Sequence, residues 1–266
     1  MKKLFPPLCV ALLGATAVGA PSAATVLVTG SDRGQGLEFT KQYAARGDTV
    51  IATCRHPDKA MELQTLAHDK KNVVVERLDV NDDDEVKALA PKYHGRPIDV
   101  LVNNAGVLGE REDQTLGTLS RKAFHEVMDV NAFGPLAVSQ AFRDNVIASH
   151  EKKIVAVTSG LGSISRSGGM PKGPYYYRMS KAAVNMGLQA LGADLKSQGV
   201  IVAVVSPGAS DTQMFAAFTD DYRGGRKIAA NTPAQSVAGM ITVIDKLDAA
   251  RATEGILNYD GTVTAW

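Results

Sequence analysis

A glycine-rich turn near the start of the chain restricts the fold more than any other feature of the sequence. Residues 29–36 read Thr-Gly-Ser-Asp-Arg-Gly-Gln-Gly; they follow the apolar run 25–28 and precede a segment with helical apolar spacing that begins at Leu37. A strand, a tight turn and a helix in this order favour a dinucleotide site, because the helix N-terminus presents free N–H groups and a positive dipole end to a pyrophosphate. Glycine is needed where a side chain would hold the backbone away from the phosphates. The alternative is a glycine-rich turn that binds no ligand.

Length, charge and cysteine content exclude several classes of protein. The chain has 266 residues, enough for one large α/β domain. Its net charge of +1 offers no electrostatic footprint for nucleic acid, so no nucleic-acid partner is expected. The two cysteines, Cys9 and Cys54, lack metal-ligand spacing, and no metal site is predicted. Without internal repeats or a long linker, residues 24–266 are expected to form one domain.

The first 23 residues have a composition different from the rest. A basic head, Met1-Lys2-Lys3, is followed by a mostly apolar stretch over 4–20 and by small residues at 22–24. This pattern is typical of a secretory signal peptide and predicts an exported or periplasmic protein. The alternatives are an uncleaved N-terminal anchor, which would bring the protein to a membrane, and a misplaced start in a cytoplasmic protein.

Apolar segments with strand character alternate with helical segments along the rest of the chain. The strands are predicted at 25–28, 49–53, 73–78, 98–102, 154–158, 200–205 and 255–259. The alternation predicts an α/β fold, a single doubly wound Rossmann-type domain whose mostly parallel sheet has about seven strands. Asn81 is expected to cap the helix whose first turn is the acidic run 82–85. A long helix is predicted from about 119 to 133, continuing towards 147.

Three further motifs follow the glycine turn at positions suited to one site. The fourth strand leads into Asn-Asn-Ala-Gly at 103–106, and the fifth ends at Ser159, with Ser163 and Ser165 as alternatives. Of the three tyrosines at 175–177, only Tyr177 has a lysine four residues later, Lys181. On a helix this spacing places both side chains on one face, so Lys181 is expected to lower the pKa of Tyr177.

These motifs, in this order, resemble the short-chain dehydrogenase/reductase family over about residues 24–266. The long segment between Ser159 and Tyr177, with the ending Asn-Tyr-Asp-Gly at 258–261, is similar to its C-factor/sniffer-type carbonyl reductase branch. The resemblance implies four catalytic residues: Asn131, Ser159, Tyr177 and Lys181. It also implies a set of coenzyme-binding residues: Gly30, Ser31, Arg33, Gly34, Gly36, Arg55, Asp79, Val80, Asn104, Ala105, Gly106, Tyr177, Lys181, Pro207, Gly208 and Thr212.

The end of the second strand bears on the choice of coenzyme. In dinucleotide folds an acid near this point binds the ribose 2′-OH of NAD, but here no acid occurs before Asp58. Arg55 occupies the place instead, and Arg33 lies within the glycine turn. Arginine makes paired hydrogen bonds to phosphate, so the two residues favour NADP over NAD. The alternative is that both are ordinary solvated surface arginines.

The resemblance implies an NADP(H)-dependent oxidoreductase that reduces a ketone or aldehyde to an alcohol, or runs in reverse, with Tyr177 as general acid/base. Its expected partners are a small carbonyl or alcohol substrate and further copies of the chain in a dimer or tetramer. The apolar segment 214–218 is interpreted as a lid over the cleft, or as a helix that packs on the core. A rival from another class is an NADP-binding signalling or sensor protein that turns nothing over physiologically.

Overall fold

The computed structural model describes residues 23–170, 172–226 and 228–266. Residues 1–22, which include Cys9 and nearly all of the segment interpreted as a signal peptide, lie outside the described residues, and the predictions made for them stay predictions. Among the described residues, no helix is both long enough and apolar enough to cross a membrane.

A single twisted sheet forms the centre of the domain. Its strands are β1 (Thr25–Thr29), β2 (Thr49–Cys54), β3 (Val73–Arg77), β4 (Val100–Asn103), β5 (Lys153–Val157), β6 (Ile201–Ser206), β7 (Ile256–Asn258) and β8 (Val263–Thr264). They lie in the order β3-β2-β1-β4-β5-β6-β7-β8, parallel except for β8, which pairs antiparallel with β7. The strand order reverses between β1 and β4, and the crevice above such a reversal is where α/β sheets bind ligands. The predicted doubly wound fold is therefore confirmed, with a short eighth strand at one edge.

Helices cover both faces of the sheet. They are α1 (Gly34–Arg46), α2 (Met61–Asp69), α3 (Asp83–Leu89), α4 (Arg121–Met128), α5 (Gly134–Ala141), α6 (Arg143–Ile147), α7 (Tyr175–Leu195), α8 (Gln213–Arg223) and α9 (Pro233–Asp245). A π-helical turn, Asp129–Phe133, joins α4 to α5. The single long helix predicted for this region is thus broken into α4, the π-turn, α5 and α6.

The core consists of two apolar layers, one on each face of the sheet. Residues of β1 alternate between them, since successive strand side chains point to opposite faces. Val26 and Val28 pack with Phe39 of α1 in the layer that α9 also covers, whereas Leu27 packs with Leu188 of α7 in the other. All of these side chains are fully buried. Complete burial of such a side chain stabilises the fold by about 1.5–3 kcal/mol, so the two layers fix where the carboxyl ends of the strands lie.

The cap of α3 differs from the prediction. Asp82, not Asn81, is the N-cap, and its carboxylate accepts hydrogen bonds from the N–H groups of Asp84 and Glu85 at 3.0 and 3.1 Å. The N–H of Asn81 instead donates to the Asp79 carboxylate at 3.0 Å. This local turn places Asn81 one residue too early to reach the first turn of the helix.

Candidate active site

The glycine turn of residues 29–36 packs directly against the loop that follows β4. Gly30 has φ +68°, and a Cβ there would lie 2.9 Å from the Cα of Ala105. A Cβ on Gly36 would lie 2.0 Å from the carbonyl oxygen of Gly30. Neither position has room for a side chain. The N-cap residue of α1, Arg33, makes no side-chain hydrogen bond to the first turn, so the N–H groups there are open to a phosphate.

Hydrogen bonds tie Asn104 to the same turn. The Thr29 hydroxyl accepts from the N–H groups of Asn104 and Ala105, both at 3.0 Å. The Asn104 side-chain amide donates to the carbonyl oxygens of Thr29 and Gly30 at 2.9 and 3.2 Å. The two family motifs therefore form one rigid wall at the point where the strand order reverses. This cradle of glycines and free amides fits a dinucleotide.

The residues predicted around the adenosine half lie at the ends of β1, β2 and β3. Arg55 directly follows β2 and is exposed. Arg33 is exposed as well, and its guanidinium forms an ion pair with the Asp32 carboxylate at 2.8 Å. Asp79 is half-buried just after β3, and Val80 is buried. Ser31 is fully buried, and its hydroxyl donates to the carbonyl oxygen of Val28 at 3.0 Å.

Tyr177 and Ser159 meet above the carboxyl end of β5. Tyr177 is the third residue of α7, and its phenol lies near the Ser159 hydroxyl. Burial raises the pKa of Tyr177 to about 12, and the nearby Ser159 hydroxyl opposes that rise. The phenol is consequently protonated at neutral pH, the form that can donate a proton.

Lys181 lies one helical turn beyond Tyr177 and is also buried. Its Nζ donates to the carbonyl oxygen of Val157 at 2.9 Å and lies 5.6 Å from the centroid of the Tyr177 ring. Burial lowers the pKa of Lys181 to about 8. The expectation that Lys181 would lower the pKa of Tyr177 is not met in this structure, because the cost of burying a phenolate dominates.

Asn131 projects from the π-turn towards the same place. Its Oδ1 accepts from the N–H of Val107 at 2.8 Å, and its Nδ2 donates to the Val107 carbonyl oxygen at 2.8 Å and to the Ser180 hydroxyl at 3.0 Å. Gly106 lies between Asn131 and Lys181: a Cβ there would be 3.2 Å from the Asn131 Oδ1 and 3.6 Å from the Lys181 Nζ. The role of Asn131 in a proton relay stays a prediction.

The alternatives considered for the catalytic serine and tyrosine lie elsewhere. Ser163 and Ser165 direct their hydroxyls to the carbonyl oxygen of Ala265, at 2.6 and 3.4 Å. Tyr175 is 41% exposed, and the Tyr176 ring packs on another aromatic side chain. Only Ser159 and Tyr177 are brought together.

The other wall of the cleft comes from the segment after β6. Pro207 is half-buried and Gly208 is exposed with φ +68°; a Cβ on Gly208 would lie 2.8 Å from the ring of Tyr259. Thr212 caps α8, since its hydroxyl accepts from the N–H of Phe215 at 3.2 Å. Its methyl group would lie 3.9 Å from a Cβ placed on Gly34. Thr212 therefore sits next to the glycine turn, and its contact with nicotinamide stays a prediction.

Helix α8 covers Tyr177. Phe218 packs with Tyr177 and Leu108 in a small apolar cluster that also takes in Met214 and Phe215. The two interpretations of segment 214–218 are compatible, because the helix packs its apolar side on the site itself. Under this cover Tyr177 is 9% exposed.

Sequence reasoning missed three residues that hold the site together. Thr29 joins the two motifs described above. Ser180, directly before Lys181, accepts from Asn131 and donates to the carbonyl oxygen of Tyr177 at 2.8 Å. Gln114 binds the N-terminus of α7. The place of Ser180 inside the Tyr-x3-Lys segment was a usable signal, whereas nothing in the sequence around Gln114 marks it.

The site combines the glycine turn, the pair of Tyr177 and Lys181 and the apolar cover. Comparison with known proteins identifies the family of the chain. A family model described as short chain dehydrogenase matches residues 24–223. The chain belongs to the short-chain dehydrogenase/reductase family. Within the described ranges of this family member, no group of three or more His, Cys, Asp or Glu side chains could hold a metal ion.

Several family members are similar over nearly the whole chain. A 1-hydroxy-2-glutathionyl-2-methyl-3-butene dehydrogenase of Rhodococcus sp. (strain AD45) is 32% identical over 247 residues, 91% of this chain and 99% of that protein. The NADPH-bound carbonyl reductase from chicken fatty liver has a TM-score of 0.81 at 30% identity, covering 92% of this chain and 99% of that chain. The carbonyl reductase Sniffer of D. melanogaster has a TM-score of 0.78 at 26% identity, and the match covers 92% of this chain and 100% of that chain. The predicted family and its carbonyl reductase branch are confirmed.

Proposed function

We propose that the protein is an NADPH-dependent reductase of ketones or aldehydes. The observation that carries the proposal is the placement of the Tyr177 phenol next to Ser159 and one helical turn from Lys181, beside a glycine cradle shaped for a dinucleotide. A proton donor, a second hydroxyl and a cation at one point are what the reduction of a carbonyl needs around its oxygen.

The roles of the residues follow from where charge develops. When NADPH is bound, it supplies a hydride for the carbonyl carbon. The Ser159 hydroxyl donates a hydrogen bond to the carbonyl oxygen, and Tyr177 transfers its phenolic proton to that oxygen as negative charge builds up. Lys181 stabilises the phenolate that this transfer leaves. Leu108 and Phe218 keep water from the reacting oxygen, which strengthens each of these interactions.

The preference for NADPH rests on Arg33 and Arg55. Both guanidiniums are exposed at the adenosine end of the cleft, and no carboxylate follows β2 before Asp58. The neighbour from chicken liver is NADPH-bound, which supports the same choice. A ribose 2′-phosphate would replace water around the two side chains with charge-assisted hydrogen bonds.

Oxidation of NADPH in the presence of a panel of ketones and aldehydes tests the proposal, with coenzyme binding measured separately by fluorescence titration. Turnover with NADPH, and much less with NADH, is the expected result. Tight NADPH binding with no turnover of any compound would favour the rival function, an NADP-binding sensor or signalling protein. Preference for NADH would overturn the coenzyme assignment.

The outer face of α7 supports a homo-oligomer. Tyr175, Met179 and Met186 are 41%, 49% and 72% exposed on it, and Phe133 of the adjoining π-turn is 55% exposed. We infer that two copies pair through this face, since large apolar side chains clustered in this way mark an interface. Light scattering of the purified protein should give at least a dimer, and Met186→Lys should shift it towards the monomer.

A further inference from the structure

Gln114 is buried in the loop after β4 and uses both ends of its side-chain amide. It is completely inaccessible to solvent. Its Oε1 accepts from the N–H groups of Tyr176 and Tyr177 at 3.0 and 3.3 Å, and its Nε2 donates to the carbonyl oxygen of Leu108 at 2.9 Å. A Cβ on Gly109, which has φ +80°, would lie 3.0 Å from that Nε2. The surrounding chain is therefore shaped around this one amide group.

The N-terminus of α7 has no cap of its own. Its N-cap residue is Pro174, whose side chain has no acceptor for the free N–H groups of the first turn. Gln114, which lies 62 residues before Tyr176, provides the acceptor instead. Such a bond satisfies buried donors and places the negative end of an amide dipole at the positive end of the helix. One of the two amides it holds belongs to the proposed proton donor.

The carbonyl of Tyr177 is held as well, by a route that returns to the same loop. This carbonyl oxygen accepts from the Ser180 hydroxyl at 2.8 Å. The Ser180 hydroxyl in turn accepts from the Nδ2 of Asn131 at 3.0 Å. The Asn131 side chain is hydrogen-bonded to both the N–H and the C=O of Val107. The next residue, Leu108, provides the carbonyl oxygen to which Gln114 donates. We call this closed chain of bonds the Tyr177 circuit. It fixes the backbone of Tyr177 at its N–H and at its C=O.

We propose that Gln114 is a positioning residue for Tyr177, and this inference rests on the proposed reductase function. Gln114 touches neither substrate nor coenzyme in this assignment; it acts by fixing the helix turn from which the phenol reaches the carbonyl oxygen. Proton transfer depends steeply on the placement of the donor, because a misplacement of 1 Å can cost about a hundredfold in rate. Loss of Gln114 should thus lower kcat and leave the binding surfaces in place.

The test replaces Gln114 with Met, which keeps the side-chain length and removes all three hydrogen bonds. We expect kcat for NADPH-dependent carbonyl reduction to fall about tenfold to a hundredfold. KM and the dissociation constant of NADPH should stay close to those of the unmodified protein. Amide hydrogen exchange at Tyr176 and Tyr177 should become faster. Gln189→Met is the matched control, since Gln189 lies on the same helix and also donates to a backbone carbonyl, that of Ala252, at 3.2 Å; it should leave kcat unchanged.

Two further variants keep the inference testable if Gln114→Met is unstable. Gln114→Asn retains the amide but is one methylene shorter, and it should lower kcat by less, again without raising KM. In the double variant Gln114→Met with Ser180→Ala, the loss of kcat should be smaller than the product of the two single losses, because both side chains act through the Tyr177 circuit.

The outcomes separate this inference from the proposed function. A raised KM with unchanged kcat, or equal losses in Gln114→Met and Gln189→Met, would overturn the positioning role while the reductase assignment stands. Unmodified protein that reduces none of the carbonyl compounds would overturn the reductase assignment and this inference with it.

Discussion

Within the described part of the chain, the Nζ of buried Lys181 donates one hydrogen bond, to the carbonyl oxygen of Val157 at 2.9 Å. The low polarity of these surroundings lowers the pKa of Lys181 to about 8. A buried cation with so few partners reduces the stability of the fold, and its retention is consistent with a catalytic use.

Lys181→Met should therefore abolish most carbonyl reduction and still raise the melting temperature at pH 7. Below pH 8 the folded protein bears the cost of a buried charge, which the variant removes. Between about pH 8 and pH 10.5 the folded lysine is already neutral while the unfolded one still binds its proton, so the unmodified protein gains stability as pH rises. The advantage of the variant should shrink over that window. Thermal unfolding of both proteins from pH 7 to pH 10 measures it, and a lower melting temperature of the variant at pH 7 would contradict the explanation.

Tyr177→Phe should lose at least about a hundredfold in kcat, since general acid–base groups contribute about 10²–10⁴ in rate. The ring and its packing on Phe218 remain, so NADPH binding should hardly change. Tyr176→Phe is the control. Tyr176 precedes Tyr177 in the sequence and is buried to a similar degree, but its ring packs on Phe124. Steady-state kinetics of the two variants decide the matter. Near-normal turnover by Tyr177→Phe would require a different proton donor.

Ser159→Ala should reduce kcat, because it removes the hydroxyl that is proposed to donate a hydrogen bond to the carbonyl oxygen as negative charge builds up there. Losing a hydrogen bond to a charged group costs about 1.5–3 kcal/mol, which corresponds to about tenfold to a hundredfold in rate. Ser165→Ala, further along the same loop, should be close to neutral, since its hydroxyl faces the C-terminal segment. Equal effects of the two substitutions would show that the loop, not the Ser159 hydroxyl, matters.

Arg55→Ala should weaken NADPH binding about tenfold to a hundredfold and leave NADH binding little changed, because only the former offers a phosphate to the guanidinium. Arg143→Ala removes a similarly exposed arginine from α6, where it pairs with Asp144 at 2.9 Å, and should affect neither coenzyme. Fluorescence titrations with both coenzymes separate the cases. A matched loss for NADPH and NADH would make Arg55 a structural residue.

Gly30→Ala should destabilise the coenzyme-free protein more than Gly34→Ala. Both glycines have left-handed backbones, with φ +68° and +56°, and alanine is strained equally at either. Only at position 30 does the new Cβ meet backbone, 2.9 Å from the Cα of Ala105; at position 34 its nearest neighbour is a methyl group at 3.9 Å. The difference between the melting temperatures of the two variants measures the contribution of the close contact between Gly30 and Ala105. Equal melting temperatures would mean that the loop after β4 can move away freely.

The features predicted from the sequence are those that depend on neighbours close along the chain. The pairing of Tyr177 with Lys181 is a matter of helix spacing, and the glycine turn is contiguous, so both can be recognised from the order of residues alone. The doubly wound, mostly parallel sheet follows from the alternation of strands and helices along the chain. Asn and Asp both cap helices well, so the sequence alone does not distinguish Asn81 from Asp82 as the N-cap of α3. In the structure Asp82 is the cap, and the N–H of Asn81 donates to the Asp79 carboxylate.

Features that depend on distant contacts could not be predicted. Gln114 is one polar residue among several in its loop, and its role exists only because α7 begins beside it. The pKa of Tyr177 depends on burial, which the sequence shows less well than it shows the neighbouring Lys181. The break of one long helix into α4, a π-turn and α5 likewise goes with distant contacts: Asn131 is hydrogen-bonded to Val107 and Ser180, and Gly134 packs closely on Val80.

That break also restricts how the chain can change in length. Asn131 within the π-turn is fastened to Val107 and Ser180, and three residues later a Cβ on Gly134 would come within 3.1–3.2 Å of Val80. A π-turn holds one more residue than the α-helical turn it replaces, and each residue rotates a helix by about 100°. Deleting one residue here would restore a regular helix but turn Asn131 or Gly134 away from its contacts. Evolution of this segment should accept substitutions at exposed polar positions of the flanking helix, such as Glu126, far more readily than insertions or deletions.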